Sequence, residues 1–279
     1  MKPLAGILWH PLHMRLLRLS LTLLAAVGLA GCFQSSTILH VNADGSGTID
    51  ERMLLTGAAL SQLRALAAFG GGGGQDVNPI SEDQARAAAT SLGSGVTYVS
   101  STPITDGDAQ GRAIVYAFTD ITQVRISQQP PAPGGMTVRA PGVTDGQAVT
   151  FALARQPDGN MLLRIIVPTP KAPADTAPPA APRGSPQQMA MVKQLLTGAH
   201  LSIGVEPSGH LVRTSSPFVD GQRVTLLDLD FDEVTRDEAI LSRLQGVRSV
   251  DDAKVALKGV PGAKINFDPE ITIEFTPDK

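Results

Sequence analysis

Three aspartates, Asp228, Asp230 and Asp232, alternate with Leu229 and Phe231. On a strand, a period of two puts their carboxylates on one face. Such a row could bind a hard cation or supply an acid–base pair. It also fits a solvated face ending in a helix cap, with Asp232 and Glu233 favouring the positive end of the next helix. Charge runs mark exposure, which favours the second reading. Beyond the N-terminal segment the histidines are His40, His200 and His210. No two of them have the i, i+4 spacing of a helical zinc pair, and each reads as an ordinary strand residue. Gly93-Ser94-Gly95 lacks the pattern of a nucleophile elbow. The glycines Gly70 to Gly74 have no lysine behind them and read as loop, not as a phosphate cradle. No catalytic, cofactor-binding or metal-binding residue is assigned from these motifs, and no cofactor is expected.

Residues Asn42 to Met53, NADGSGTIDERM, resemble the calcium loop of an EF-hand. Asn42, Asp44 and Ser46 match the first three oxygen positions, Gly47 the turn glycine, Ile49 the apolar eighth position and Asp50 the ninth. Position twelve is Met53, where that family carries a bidentate carboxylate, and Glu51 falls two residues early. The flanks read as strands. Turn chemistry alone accounts for these residues, so a hairpin turn is the expectation.

The single cysteine closes a different motif. Arg15 and Arg18 precede the uncharged, mostly apolar run Leu19 to Val27, and small residues follow, in the order of a secretory signal. Met14 would serve as an alternative start. The run is shorter than the roughly 20 apolar residues of a membrane span. Leu29-Ala30-Gly31-Cys32 resembles the lipobox of bacterial lipoproteins. That resemblance implies cleavage between Gly31 and Cys32 and a lipidated Cys32 holding the chain to a membrane. Each buried methylene adds about 0.8 kcal/mol, so two or more chains anchor stably. In such lipoproteins an aspartate after the cysteine often marks retention in the inner membrane. Phe33 stands there, which leans toward the outer membrane of a two-membrane cell.

The chain carries 23 basic and 26 acidic residues. Lys2, Arg15 and Arg18 would leave with the signal, making the remainder more acidic still. Such a body is a poor nucleic-acid binder, because that binding is dominated by phosphate contacts. Its one tryptophan, Trp9, lies in the signal, and aromatics form 4% of the chain, which argues against a stacking platform. With Cys32 lipidated, neither a disulfide nor a thiolate metal site remains.

Stepping outward to the elements, Phe33 to Ser36 reads as a short tether reaching roughly 13–14 Å. Ile38 to Val41 and Thr48 to Leu55 form a hairpin around Asp44-Gly45 and Ser46-Gly47. Gly57 to Phe69 reads as a helix. Ser81 caps a second helix running to about Leu92. Val96 to Ser101 and Arg112 to Thr119 follow as strands, and Gln128 to Pro141 as loop. Residues from Val149 to Val167 form a hairpin about Pro157-Asp158-Gly159. Pro168 to Pro186 reads as a linker or exposed excursion and the best candidate boundary between a first part, 37–167, and a second, 187–279. A helix follows, ending at Gly198. Leu201 to Glu206, His210 to Ser215 and Arg223 to Phe231 form a three-stranded meander. Asp232 to Leu244 and Ser249 to Gly259 are helices, and Ile271 to Phe275 a half-buried strand.

Frequent hairpins, interspersed helices and no strict βαβ rhythm predict an α+β fold, with a largely antiparallel sheet and helices packed on one face. The order of early hairpin, helices and later strands loosely resembles the domain of mycobacterial LppM-type lipoproteins. That resemblance implies a role in binding envelope glycolipids, without assigning residues. The expected function is non-enzymatic binding of a lipid, glycolipid or other hydrophobic ligand at the membrane surface. The alternatives are a structural or partner-binding component of an envelope complex, and a hydrolase in which His200 or His210 converges with Asp228 or Asp230.

Overall fold

The computed structural model describes residues 33–61, 81–127, 148–168, 193, 196–245, 247 and 250–278. The expected signal, Gly31 and Cys32 lie outside them. So do the glycine run, the loop 128–141, nearly all of 168–186 and most of the two helices at 57–69 and 187–198.

Alternating apolar residues make the strands. In β1 (Phe33–Val41), Phe33, Leu39 and Val41 are buried; in β2 (Gly47–Leu55), Ile49, Met53 and Leu55 are. The two pair antiparallel around a five-residue turn in which Gly45 adopts φ 87°. Phe33–Ser36 is therefore no tether. These residues pair with β2 on one side, and Gln34 to Ser36 also pair with β8 (His200–Pro207) on the other. Phe33 enters the core at 7% exposure.

A short turn at Gly107 joins β3 (Val96–Asp106) and β4 (Ala109–Phe118), and Gly159 turns β6 (Ala148–Arg155) into β7 (Met161–Ile166). The remaining strands are β5 (Ile126–Ser127), β9 (Gly209–Thr214), β10 (Val219–Asp220), β11 (Arg223–Asp230), β12 (Ala263–Ile265) and β13 (Glu270–Pro277). They form two sheets. The first runs β10-β11-β8-β1-β2-β4-β3, with β12 also on β11, and the second runs β5-β6-β7-β13-β9. Among the described residues every pairing is antiparallel except β1 with β8. The α+β class and the antiparallel preference hold. Residues before and after 168–186 share both sheets, through β1–β8 and β7–β13.

The meander does not form. Its middle segment becomes β9 and crosses to the second sheet, leaving β8 and β11 to pair directly across an irregularity between Thr225 and Leu227. The crossing turns on Gly209, at φ 134°, where a Cβ would lie 2.1 Å from the Thr276 carbonyl oxygen. Only glycine fits that corner.

Between the sheets lies one core. Leu39, Ile49 and Val205 from the first join Leu163, Ile273 and Phe275 from the second, all at 0% exposure. Helix α1 (Glu82–Ala88) adds Ala85 to this core, beside β4. It starts as expected at Ser81. The Gln84 amide donates to Ser81 Oγ at 3.1 Å, and the Ser81 amide donates to Gln84 Oε1 at 2.9 Å. Ser81→Ala should cost about 1 kcal/mol, read as a lower denaturation midpoint with faster amide exchange confined to α1.

A smaller cluster holds α2 (Phe231–Val234), α3 (Glu238–Gln245) and α4 (Val250–Leu257) against β11 and β12. The single helix expected over 232–244 is thus two. Thr235 Oγ1 donates back to the Phe231 carbonyl at 2.7 Å, and Asp237 Oδ1 accepts the Ala239 amide at 2.8 Å, restarting the helix. Val234, Ile240 and Leu244 still face inward.

Candidate functional site

The inner face of the first sheet is closed unevenly. Where it meets the second sheet, Leu39, Ile49, Val205 and Val224 are fully buried. Around Thr37 the same face carries Ser35, Glu51, Leu201, Ile203 and Leu229, all only half-buried, beside the buried Phe33, Met53 and Ile114; Leu201 and Ile203 pack on the main core and Leu229 on the smaller cluster. Strand pairing makes this a continuous floor. Ser35 lies opposite Met53 and Leu201, Thr37 opposite Glu51 and Ile203, and Leu201 opposite Leu229.

Glu51 is the unusual group there. It stands between Ile49 and Met53 in the apolar register of β2. Burial pushes its carboxyl up to about 7, and the neighbouring Tyr116 hydroxyl opposes this only in part. Tyr116 donates its single hydrogen to the Ala85 carbonyl at 2.9 Å. Burial, followed by the Glu51 charge, also pushes the Tyr116 phenol up. Among the described residues no cation pairs with Glu51, and the hydroxyls of Ser35 and Thr37 make no hydrogen bond.

A second polar group lies beside it, beneath α1. Arg112, 7% exposed, donates to Ser101 Oγ from Nη2 at 2.8 Å and from Nε at 3.1 Å. Its nearest carboxylate, Glu82, is 4.0 Å away. The Tyr98 hydroxyl meets Ser101 Oγ at 3.0 Å and Glu82 Oε1 at 3.1 Å. The Tyr98 ring lies edge-on to Tyr116 with centroids 6.4 Å apart, and Arg86 covers it at 4.4 Å. These contacts tie α1 to the edge of the sheet.

The residues singled out by spacing are dispersed. In the loop resembling an EF-hand, Asp44 Oδ1 accepts from the Ser46 amide at 2.9 Å and the Ser46 hydroxyl at 2.7 Å. Those bonds hold its carboxyl below the usual range. Asn42 Oδ1 accepts from Ser208 Oγ at 2.7 Å, and Asp50 pairs with His40 at 3.2 Å. The loop is a hairpin turn with its oxygens turned to local partners. Asp228, Asp230 and Asp232 likewise have separate tasks. Asp228 faces His200, Asp230 caps α2 by accepting from Asp232 and Glu233 amides, and Asp232 accepts from the Gly198 amide at 2.9 Å. No group of three or more metal-ligating side chains gathers among the described residues.

Of the hydrolytic combinations, one is formed. His200 Nε2 lies 2.7 Å from Asp228 Oδ1, and Lys264 Nζ lies 3.6 Å from Asp228 Oδ2. The trio sits on the outer face of the first sheet, with His200 46% exposed. Among the described residues no hydroxyl is hydrogen-bonded to the imidazole. His210 is exposed on β9. Ser94 of the Gly-Ser-Gly stretch donates to Gln123 Oε1 at 3.0 Å. Two open concavities, about 300 Å³ beside His40 and about 420 Å³ beside Glu233 and Arg236, lie away from the Glu51 floor.

The sequence reading missed Glu51. The signal was present: in the series Ile49, Glu51, Met53, Leu55, one carboxylate occupies an apolar register position.

No family model matches the chain, and neither does any curated protein. Among solved structures, the folded domain of the Mycobacterium tuberculosis LppM protein is weakly similar, at 8% identity and a TM-score of 0.31, over 72% of this chain and 84% of that one. No residue is carried across from it. Among the described residues, no helix is long and apolar enough to cross a membrane.

Proposed function

We propose that this is a lipid-anchored envelope protein that binds rather than catalyses, holding an amphipathic ligand against the half-buried part of its inner sheet face. The observation that supports this reading is where the half-buried part of that face lies. Ser35 and Thr37 lie on β1, whose first residue, Phe33, directly follows Cys32. At about 3.4 Å per residue, Thr37 is roughly 14 Å along the strand from Phe33. One leaflet of a bilayer offers about 15 Å of hydrocarbon. An acyl chain leaving the membrane beside the anchor can therefore reach toward Leu201 and Ile203, while Glu51, Thr37 and Ser35 supply the few polar groups that orient a ligand.

Two measurements test this. Growth with tagged fatty acid should label the protein, and Cys32→Ala should abolish the label and release the chain from the membrane fraction. Native mass spectrometry of the purified protein should show retained lipid, lost in Ile203→Gln. A protein that is unlabelled, or one that retains no lipid at all, sinks the corresponding half of the reading.

A further inference from the structure

We infer that the free edge of β3 is closed to a second copy of this chain by its own backbone, and that Pro103 is the residue that closes it. β3 ends the first sheet and, among the described residues, pairs only with β4. It is the longest described strand, at eleven residues, and no charged side chain stands between Val96 and Thr105. Thr97, Val99, Ser100, Thr102, Pro103 and Thr105 are exposed. An uncharged edge rich in β-branched residues offers its amides and carbonyls to any similar strand. Pairing this stretch antiparallel with its own copy sets no like charges opposite one another, so side-chain charge does not protect it.

The backbone does. Tyr98 pairs with Tyr116 and Ser100 with Val115, so Val99 is an extra residue that bends the strand. Farther along, Asp106 and Ala109 close a two-residue turn and form a hydrogen-bonded pair. Bonded and non-bonded pairs alternate from there. Ile104 and Thr102 therefore bond to β4, while Ser101, Pro103 and Thr105 face the free edge. Pro103 has no N–H to give. The Ser101 carbonyl already accepts from Nη2 of the buried Arg112 at 3.4 Å. An incoming strand exchanges two bonds with each outward residue it meets. At Ser101 and at Pro103 it can make only one, which leaves Thr105 alone between Ser100 and Asp106 able to exchange both.

Two substitutions at one position test this. Pro103→Thr and Pro103→Lys both restore the missing N–H, and only the second also places an ammonium on the edge. Sedimentation of the full chain, in one detergent and over a wide concentration range, compares both with the wild type. Pro103→Thr should raise the weight-average mass with concentration, by about twofold or more over the wild type at the highest concentration, the step for joining two copies. Amide exchange at Ser101 and Thr105 should slow in step with the mass. Pro103→Lys should keep the wild-type mass, because lysine on an edge strand opposes pairing with a copy. Both variants lose the proline ring, so association caused by a damaged fold would appear in both. Equal masses for all three proteins overturn the inference. So does association of Pro103→Lys to the same degree as Pro103→Thr, or a wild type that already associates and that Pro103→Lys makes monomeric.

Discussion

Between about pH 5 and pH 8 the protein should lose up to about 3 kcal/mol of stability through Glu51 alone. Its carboxyl has an ordinary value of 4.5 and rises to about 7 in the folded chain. A folded-state pKa above the unfolded one means the native protein binds more protons in this window. The contribution is fully present below about 4.5, is lost progressively as the pH climbs to about 7, and stays lost above. Acid therefore favours the fold here, opposite to the usual salt-bridged carboxylate. The check is a pair of urea curves across this pH range, for the wild type and Glu51→Gln. The difference in midpoint between them should grow with pH, and parallel behaviour refutes the raised Glu51 carboxyl. Other groups titrate in both proteins alike, so only the difference is diagnostic.

Phe275→Ala should destabilise the whole body by about 3–5 kcal/mol, the range for removing a buried aromatic ring from a core that cannot collapse around the void. Phe275 is 0% exposed at the centre of β13, between β7 and β9. The more telling readout is distant. Tyr98 and Tyr116 belong to the first sheet, and Phe275 to the second. With both sheets sharing one core, tyrosine emission in a Trp9→Phe background should shift its denaturation midpoint as far as far-ultraviolet dichroism does. A tyrosine transition that stays in place while the dichroism moves would show the sheets unfolding separately.

Local chemistry was readable because its causes are local. Ser81 was found as a cap because a hydroxyl three residues before Gln84 satisfies orphan amides whatever surrounds it. The hairpins at Gly45 and Gly159 follow from backbone freedom within two residues. What escaped was set at long range. The pairing of residues 34–41 with 200–207, and the departure of β9 to a second sheet, depend on partners far away in sequence. Hydrophobic alternation says that a strand exists without saying which neighbour it takes. The same limit hid the site. The triad of aspartates drew attention because it is contiguous, and its members turned to separate partners. Glu51 mattered because residues from β1, β4 and α1 surround it, and no local window contains them.

The position of β1 has a mechanical consequence. Its neighbours are β2 on one side and β8 on the other, so the first described strand is interior to its sheet. Tension applied at Phe33 along the strand cannot peel it away one bond at a time. It must slide β1 against both partners at once, loading two ladders in shear. A body tugged from that point should resist extension far better than one held by a border strand, and force spectroscopy pulling between residues 33 and 278 would register the difference.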